Sequence, residues 1–396
     1  MIKNALALNL IAHVMAWDDV RTTTEYDWLR LMSDVKFDGY ADFAAGSGFI
    51  EALVDWMRQF DPSDRETAYR LVKERLVFIS SSEMQRLIEG FLPEFVTPYL
   101  RGSVARQFSI QPYEVWSRPD SADAFEARLR QCLFVGLSDG SRIDILRRAN
   151  AGELSQEQVI PMMNVDKAKW KNLGGKLQNE QGPDAKFQDV YLIDDFTASG
   201  TTFLRLENGE PQGKLKKFEA MVSAARRELK DEFPIAENYR LHIHHYVSTV
   251  QARDALVSRL DQVLPLWPQK SFDEHVEVHE GLLLPSTLPL GSIAVGTQGG
   301  GRVEAGANGL AETHPADRDF IELCEKYYDP NEFIRLEEHC RAAGLDTLCY
   351  GYGYCALPLI LEHNTPNNTV PLIWSETGDP KSPFTRSLFH RRDRHG

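Results

Sequence analysis

The chain has 396 residues, 42% hydrophobic and 26% charged, a composition that fits a globular protein of roughly two or three structural units. Its 44 basic and 58 acidic side chains give a formal charge of −14, which repels phosphate backbones and disfavours direct nucleic-acid binding. No stretch reaches the roughly 18 apolar residues that span a bilayer, and five cysteines without a CxxC pair fit a reducing cytoplasm.

The apolar run Ala5–Met15 has the look of a short signal core. Asn9 and His13 interrupt it and a polar helical pattern comes next, so it predicts a core helix. Apolar residues recur at spacings of three and four over 28–32 and 49–57. Asp61–Glu66 has the early proline and first-turn acids of a helix start, and Ser80–Glu83 can cap a helix over 84–88. Residues 1–115 are therefore expected to form a helical N-terminal region. Residues 116–300 change texture. Cys132–Leu137, Gln158–Met163, Asp189–Ile193 and Tyr239–Val247 predict strands, with helices over 141–148, 214–232 and 251–260. The polar, lysine-bearing stretch 164–188 predicts a mobile loop. Strands alternating with helices imply an α/β fold with a parallel sheet covered on both faces. A glycine-rich run, Gly296–Gly309, leads into a C-terminal α/β extension over 301–396, with a helix over 317–343 and apolar runs at 346–361 and 370–374. The tail from Arg386 is a small basic island, either a solvated end or a contact for an anionic partner.

The chemistry concentrates in Val190–Thr202, VYLIDDFTASGTT. An apolar strand ends in Asp194 and Asp195. Ala198, Ser199, Gly200, Thr201 and Thr202 then form a small-residue turn expected to open a helix and to offer amides and hydroxyls to a phosphate. Open parallel sheets bind ligands at the carboxyl ends of their strands. Carboxylates beside a phosphate make sense if they hydrogen-bond sugar hydroxyls or approach a metal ion; otherwise they merely end a strand and cap a helix.

This run resembles the phosphoribosyl pyrophosphate (PRPP) signature of type I phosphoribosyltransferases. It departs at Tyr191, Phe196 and Thr197, which are packing positions. The resemblance implies a phosphoribosyltransferase-like core in which Ala198–Thr202 hold the 5′-phosphate. Asp194 and Asp195 would hold the ribose 2′- and 3′-hydroxyls and approach a Mg²⁺ that bridges pyrophosphate and ribose. It implies a pyrophosphate loop after the first core strand, at Gly136–Gly140 with Ser138, Asp139 and Gly140. It implies a flexible loop over Asp166–Lys176, whose Lys167 and Lys171, with Lys169 and Lys176, would neutralise leaving pyrophosphate. It also implies a hood, for which His363–Thr369 is the candidate, with Asn364 and Asn367 reading an acceptor or simply turning the chain. Lys36–Tyr40, Leu76–Ser80 with Glu83 and Met84, and His363–Trp374 are similar to a divergent branch found beside bacterial defence and conflict genes, including some retrons. That branch implies a cytoplasmic protein that binds PRPP or a related phosphoribosyl nucleotide, serves antiviral defence, has defence-system protein partners and is compatible with homo-oligomers. Two readings stay open. One is an active enzyme that transfers or hydrolyses the phosphoribosyl group. The other is a catalytically inactive PRPP- or nucleotide-sensing or scaffolding module.

Other signals compete. His242 and His244 share one strand face, with His275 and His279 nearby in sequence, as a transition-metal site or as structural histidines. Cys340, Cys349, Cys355 and His363 lack zinc spacing. Gly351–Ala356 fits GxGxxA but makes a poor helix start.

Overall fold

The computed structural model describes residues 2–43, 47–207, 209–267, 269–290, 315–328, 334, 338, 350–376 and 386–391. The chain forms two units, Met1–Glu83 with Pro285–Gly396, and Met84–Leu284.

In the first unit, α1 (Ile2–Met15) buries Ala7, Leu8, Ile11 and Val14, so the signal-like run is a core helix. Next come α2 (Asp19–Val35), α3 (Phe49–Arg58), α4 (Arg65–Glu74) and β1 (Val77–Ile79), and α5 (Ser81–Phe91) carries the chain past Glu83 into the second unit. Side chains supply the caps: Asp18 accepts from the Arg21 amide at 2.8 Å, and Asp38 from the Phe49 amide at 2.7 Å. The stretches Lys36–Tyr40 and Leu76–Glu83 meet here, where Lys36 Nζ donates to Glu83 at 2.8 Å and to the Phe78 carbonyl at 3.3 Å.

The second unit adds α6 (Thr97–Phe108), α7 (Pro119–Arg130), β2 (Cys132–Gly136), α8 (Ile143–Ala149), β3 (Val159–Ile160), α9 (Lys167–Gln181) and β4 (Phe187–Thr197). A small hairpin of β5 (Arg205–Glu207) and β6 (Glu210–Gln212) precedes α10 (Lys214–Leu229), β7 (Ile235–Thr249), α11 (Val250–Val263) and β8 (Phe272–Leu284). Five of these strands form a parallel sheet in the order β3-β2-β4-β7-β8. Counted along the sheet's own strands this is the 2-1-3-4-5 order of a doubly wound sheet, whose crevice lies between the first and third strands, here β2 and β4.

Both faces of a parallel sheet must be covered. Leu133, Val135, Val190, Leu192, Leu241 and Ile243 pack in one cluster with Trp170 and Leu173 of α9, Phe218 and Val222 of α10, and Leu256 and Leu260 of α11. Residues of the opposite parity, Phe134, Tyr191 and His244, meet Phe91 at ring separations of 6.0, 5.7 and 4.4 Å. The segment 84–115, expected to go with the N-terminal region, therefore belongs to the sheet, because its apolar stripe covers a face that would otherwise meet water.

After β8 the chain returns to the first unit through α12 (Pro315–Tyr327), β9 (Leu359–Leu361) and α13 (Pro371–Trp374). β9 pairs in parallel with β1, Phe78 opposite Ile360. Arg75 forks onto Asp317 at 2.6 and 2.9 Å. Phe389 packs within 5.9 Å of the Phe37, Phe49 and Phe78 rings. The C-terminal segment thus completes the core begun by the first four helices, and the division observed differs from three consecutive segments. The run Gly296–Gly309, residues 329–333, 335–337 and 339–343 of the expected helix, Cys340, Cys349 and tail residues 392–396 lie outside the described residues. Among the described residues no helix is long and apolar enough to cross a membrane.

Candidate active site

β2 pairs with β4 only as far as Gly136 opposite Ile193, and the Leu137 amide donates to the Ile193 carbonyl at 2.9 Å. β4 runs on through Asp194, Asp195, Phe196 and Thr197, paired with β7 alone. The acids therefore lie inside a strand that was expected to end at them and that runs two residues further. Beyond Ile193 the edge of β4 facing β2 is no longer paired with it, and the loop after β2 folds against this edge.

That loop and the two acids come together. Ser138 Oγ donates to Asp194 Oδ1 at 2.6 Å. At Gly140 a Cβ would run into Asp195 Oδ2, so only a glycine lets the backbone lie this close to the carboxylate. Asp139 is exposed and its carboxylate accepts from the Gly140 amide at 3.1 Å, occupying one of the amides expected to meet pyrophosphate.

Lys214, the first residue of α10, donates to Asp194 Oδ2. Asp194 is buried, and its carboxyl is pushed up to about 6, first by burial and then by the charge of Asp195, against the pull of Lys214 and Ser138. Arg142 sits after the same loop in a left-handed conformation, φ +46°. Burial lowers its guanidinium from the usual range, and Asp195 opposes that shift. His245, opposite Asp194 on β7, is pushed down to about 3 by burial and then by Lys214, so it is neutral. Lys214 and Arg142 were not anticipated. No motif marks either; one reads as a helix start and the other as one of several arginines in a helical run.

No helix opens from the Ala198–Thr202 loop, contrary to expectation. The hairpin β5–β6 intervenes and α10 starts at Lys214, its Lys214 and Leu215 amides donating to the Thr202 and Phe203 carbonyls at 3.1 Å each. The loop itself is pinned from β7 and α11. Thr249 Oγ1 donates to the Ala198 carbonyl at 2.6 Å, and Arg259 to the Ser199 carbonyl at 3.3 Å. Gly200 has φ +68°, and a Cβ there would sit 3.0 Å from the Ala252 carbonyl. The Ser199 and Thr201 hydroxyls bond each other, Thr201 is half-buried and Thr202 is exposed. Hydroxyls and loop amides, rather than a helix terminus, are what this turn can offer an anion.

The stretch 166–176 is not a mobile loop but the first turns of α9. Asp166 caps it, accepting from the Lys169 amide at 2.7 Å, and Trp170, Leu173, Gly174 and Leu177 are buried. Lysines at the intervening positions hid this stripe from a reading by composition. Lys167 pairs with Glu228 at 2.9 Å and Lys171 with Glu232 at 2.5 Å. Glu228 lies fourteen residues beyond Lys214 on α10, about 21 Å along the helix axis. Both lysines are therefore held far from Asp194, which corrects their expected place at the reacting centre. Asn364 and Asn367 lie in the first unit, on the turn after β9. Asn364 exchanges backbone hydrogen bonds with Leu361 at 3.1 Å, and the Asn367 carbonyl accepts from the Tyr352 amide at 2.8 Å.

Chemically, the site presents two adjacent carboxylates at one strand edge beside a hydroxyl-lined loop. An all-oxygen donor set of this kind suits a hard cation that keeps most of its water. Asp194 accepts from Ser138 and from Lys214, so its carboxylate is held in place at this edge.

A family model described as PRTase-CE matches residues 53–391. No curated protein and no solved structure matches the chain.

Proposed function

Because the chain belongs to the PRTase-CE family, we propose that this phosphoribosyltransferase-like protein binds PRPP, or a related phosphoribosyl nucleotide, with Mg²⁺ and transfers or hydrolyses the phosphoribosyl group. The observation that carries this reading is the meeting of the β2 loop with the two acids at the β2–β4 switch point, where Asp194 is oriented by Ser138 and Lys214 while Asp195 borders Gly140. In this reading the Ser199–Thr202 hydroxyls and amides bind the 5′-phosphate, and Asp194 and Asp195 accept from the ribose hydroxyls. Ser138–Gly140 orient pyrophosphate. Asp194 and Asp195 would hold Mg²⁺ together with substrate oxygens, and the ion would supply positive charge towards pyrophosphate. The protein's own share is positioning and a preorganised field. We further propose a cytoplasmic protein of anti-phage defence with protein partners, a reading supported by the resemblance of Lys36–Tyr40, Leu76–Ser80 and His363–Trp374 to the defence-associated branch.

The test is pyrophosphate release from PRPP and Mg²⁺ by the full chain. A second reading, a sensing module without turnover, is favoured by one observation: the segment expected to close over the reaction is a packed helix whose Lys167 and Lys171 are engaged elsewhere. Saturable PRPP binding with no pyrophosphate under any acceptor would establish that second reading.

Gly140→Ala would push the Asp195 carboxylate, the far end of a side chain, so the fold is expected to survive with a melting temperature changed by less than about 2 °C. PRPP affinity is expected to fall about tenfold, read by calorimetric titration. The pH dependence arises from Asp194. Below about 6 its carboxyl takes a proton, and it no longer accepts from both Lys214 and a ribose hydroxyl. PRPP binding is therefore expected to weaken as pH falls through about 6, in a titration series across that range. Asp194→Asn should lack this acid limb.

A further inference from the structure

The geometry points to a second metal centre, on the β7–β8 strand pair, formed by His242, Glu277 and His279 and suited to a divalent first-row transition ion such as Zn²⁺. β8 was not anticipated as a strand, because its apolar residues Val276 and Val278 alternate with His275, Glu277 and His279. That alternation puts all three polar side chains on one face of the strand. His242 lies directly opposite Glu277 in the β7–β8 register.

The ligand atoms of His242, Glu277 and His279 all lie within 4.8 Å of one another. His242 Nδ1 is 3.5 Å and His279 Nε2 is 3.2 Å from the same oxygen, Glu277 Oε2. Donors about 2.0–2.1 Å from a tetrahedral zinc stand roughly 3.3–3.4 Å apart, so these separations bracket the spacing an ion requires.

The surroundings of His242 carry the argument further. Its ring is 1% exposed, and its Nδ1 makes no hydrogen bond. Its other nitrogen, Nε2, faces Asp189 Oδ1 at 3.2 Å, and Asp189 is in turn gripped by Arg240 at 2.7 and 2.6 Å. A carboxylate on one imidazole nitrogen, with the other turned to Glu277 in the cluster, is the outer-shell arrangement that orients metal-binding histidines. Tyr191 stacks on the His242 ring at 4.3 Å and Tyr99 meets it edge-on at 4.6 Å, so the ring cannot turn away. Two imidazoles and one carboxylate favour borderline transition ions over Mg²⁺ or Ca²⁺. Glu277 and His279, 28% and 24% exposed, leave the outer side of the site open to water as a further ligand.

The test uses the full chain freed of metal with a chelator and titrated with Zn²⁺, with Co²⁺ as a visible-absorption probe. One equivalent of Zn²⁺ is expected to bind, Co²⁺ to show the ligand-field bands of a low-coordinate nitrogen–oxygen site, and Zn²⁺ to raise the melting temperature saturably. His279→Ala and Glu277→Gln alter partly exposed side chains and are expected to weaken Zn²⁺ binding about 100-fold or more. Asp194→Asn should bind Zn²⁺ as the wild type does. Sub-stoichiometric Zn²⁺, no thermal shift of the wild type, or unchanged affinity in both folded variants would overturn the proposal. Pyrophosphate release plays no part in any of these readouts.

Discussion

Asp195→Asn is expected to lower pyrophosphate release from PRPP about 10²–10³-fold, the scale set by removing one preorganised group at a reacting centre. Asp195 is half-exposed at the strand edge, so the isosteric change removes charge without opening the core. Asp194→Asn is expected to lose a similar factor with a different stability signature. The folded protein binds the Asp194 proton more tightly than an unfolded carboxyl would. The stability from this group is therefore present below the ordinary carboxylate range and is lost as pH rises through about 6. Above that pH the asparagine variant should melt no lower than the wild type, since burial and the charge of Asp195 oppose the ionised acid more than Lys214 and Ser138 favour it. Loss of activity with stability intact separates a group that acts on ligand from one that holds the fold. A wild-type rate in both variants would remove the acids from the reaction.

Trp170→Ala is expected to destabilise the protein by about 3–5 kcal/mol, the cost of an emptied aromatic site in a packed core. Trp170 is 1% exposed and meets the Phe233 ring at 5.2 Å, among Leu173 and Leu177 of the same helix. The same substitution on an open loop would cost less than about 0.5 kcal/mol. Urea unfolding therefore decides between a packed α9 and a closing flap, and a midpoint equal to that of the wild type would favour the flap. As the companion measurement, Lys167→Ala and Lys171→Ala should each change pyrophosphate release by less than about twofold. Their exposed pairs with Glu228 and Glu232 are screened by solvent and add little to stability.

The contrast between α9 and β4 shows where local pattern suffices. β4 could be read because Val190–Ile193 is uniformly apolar, as a strand buried on both faces must be. α9 was hidden because its buried positions, 170, 173, 174 and 177, are diluted by lysines and two glycines, so bulk polarity outweighed periodicity. β8 escaped for a related reason: histidines and a glutamate hold every second place, and a strand whose alternating face is ionisable looks polar throughout.

Residue type and spacing were enough to establish the alternation of strand and helix that makes a parallel α/β sheet, and to put Asp194, Asp195 and the Ala198–Thr202 turn on one short run. These are local matters, which neighbours along the chain settle between them. It took the folded chain to bring Lys214, twenty residues on, against Asp194, to lay Gly140 against Asp195, and to turn Lys167 and Lys171 towards α10 instead. Folding likewise set His242 opposite Glu277 across two strands. Such meetings depend on strand order and register, which are set by how whole faces bury their apolar surface, and no window of consecutive residues contains that information.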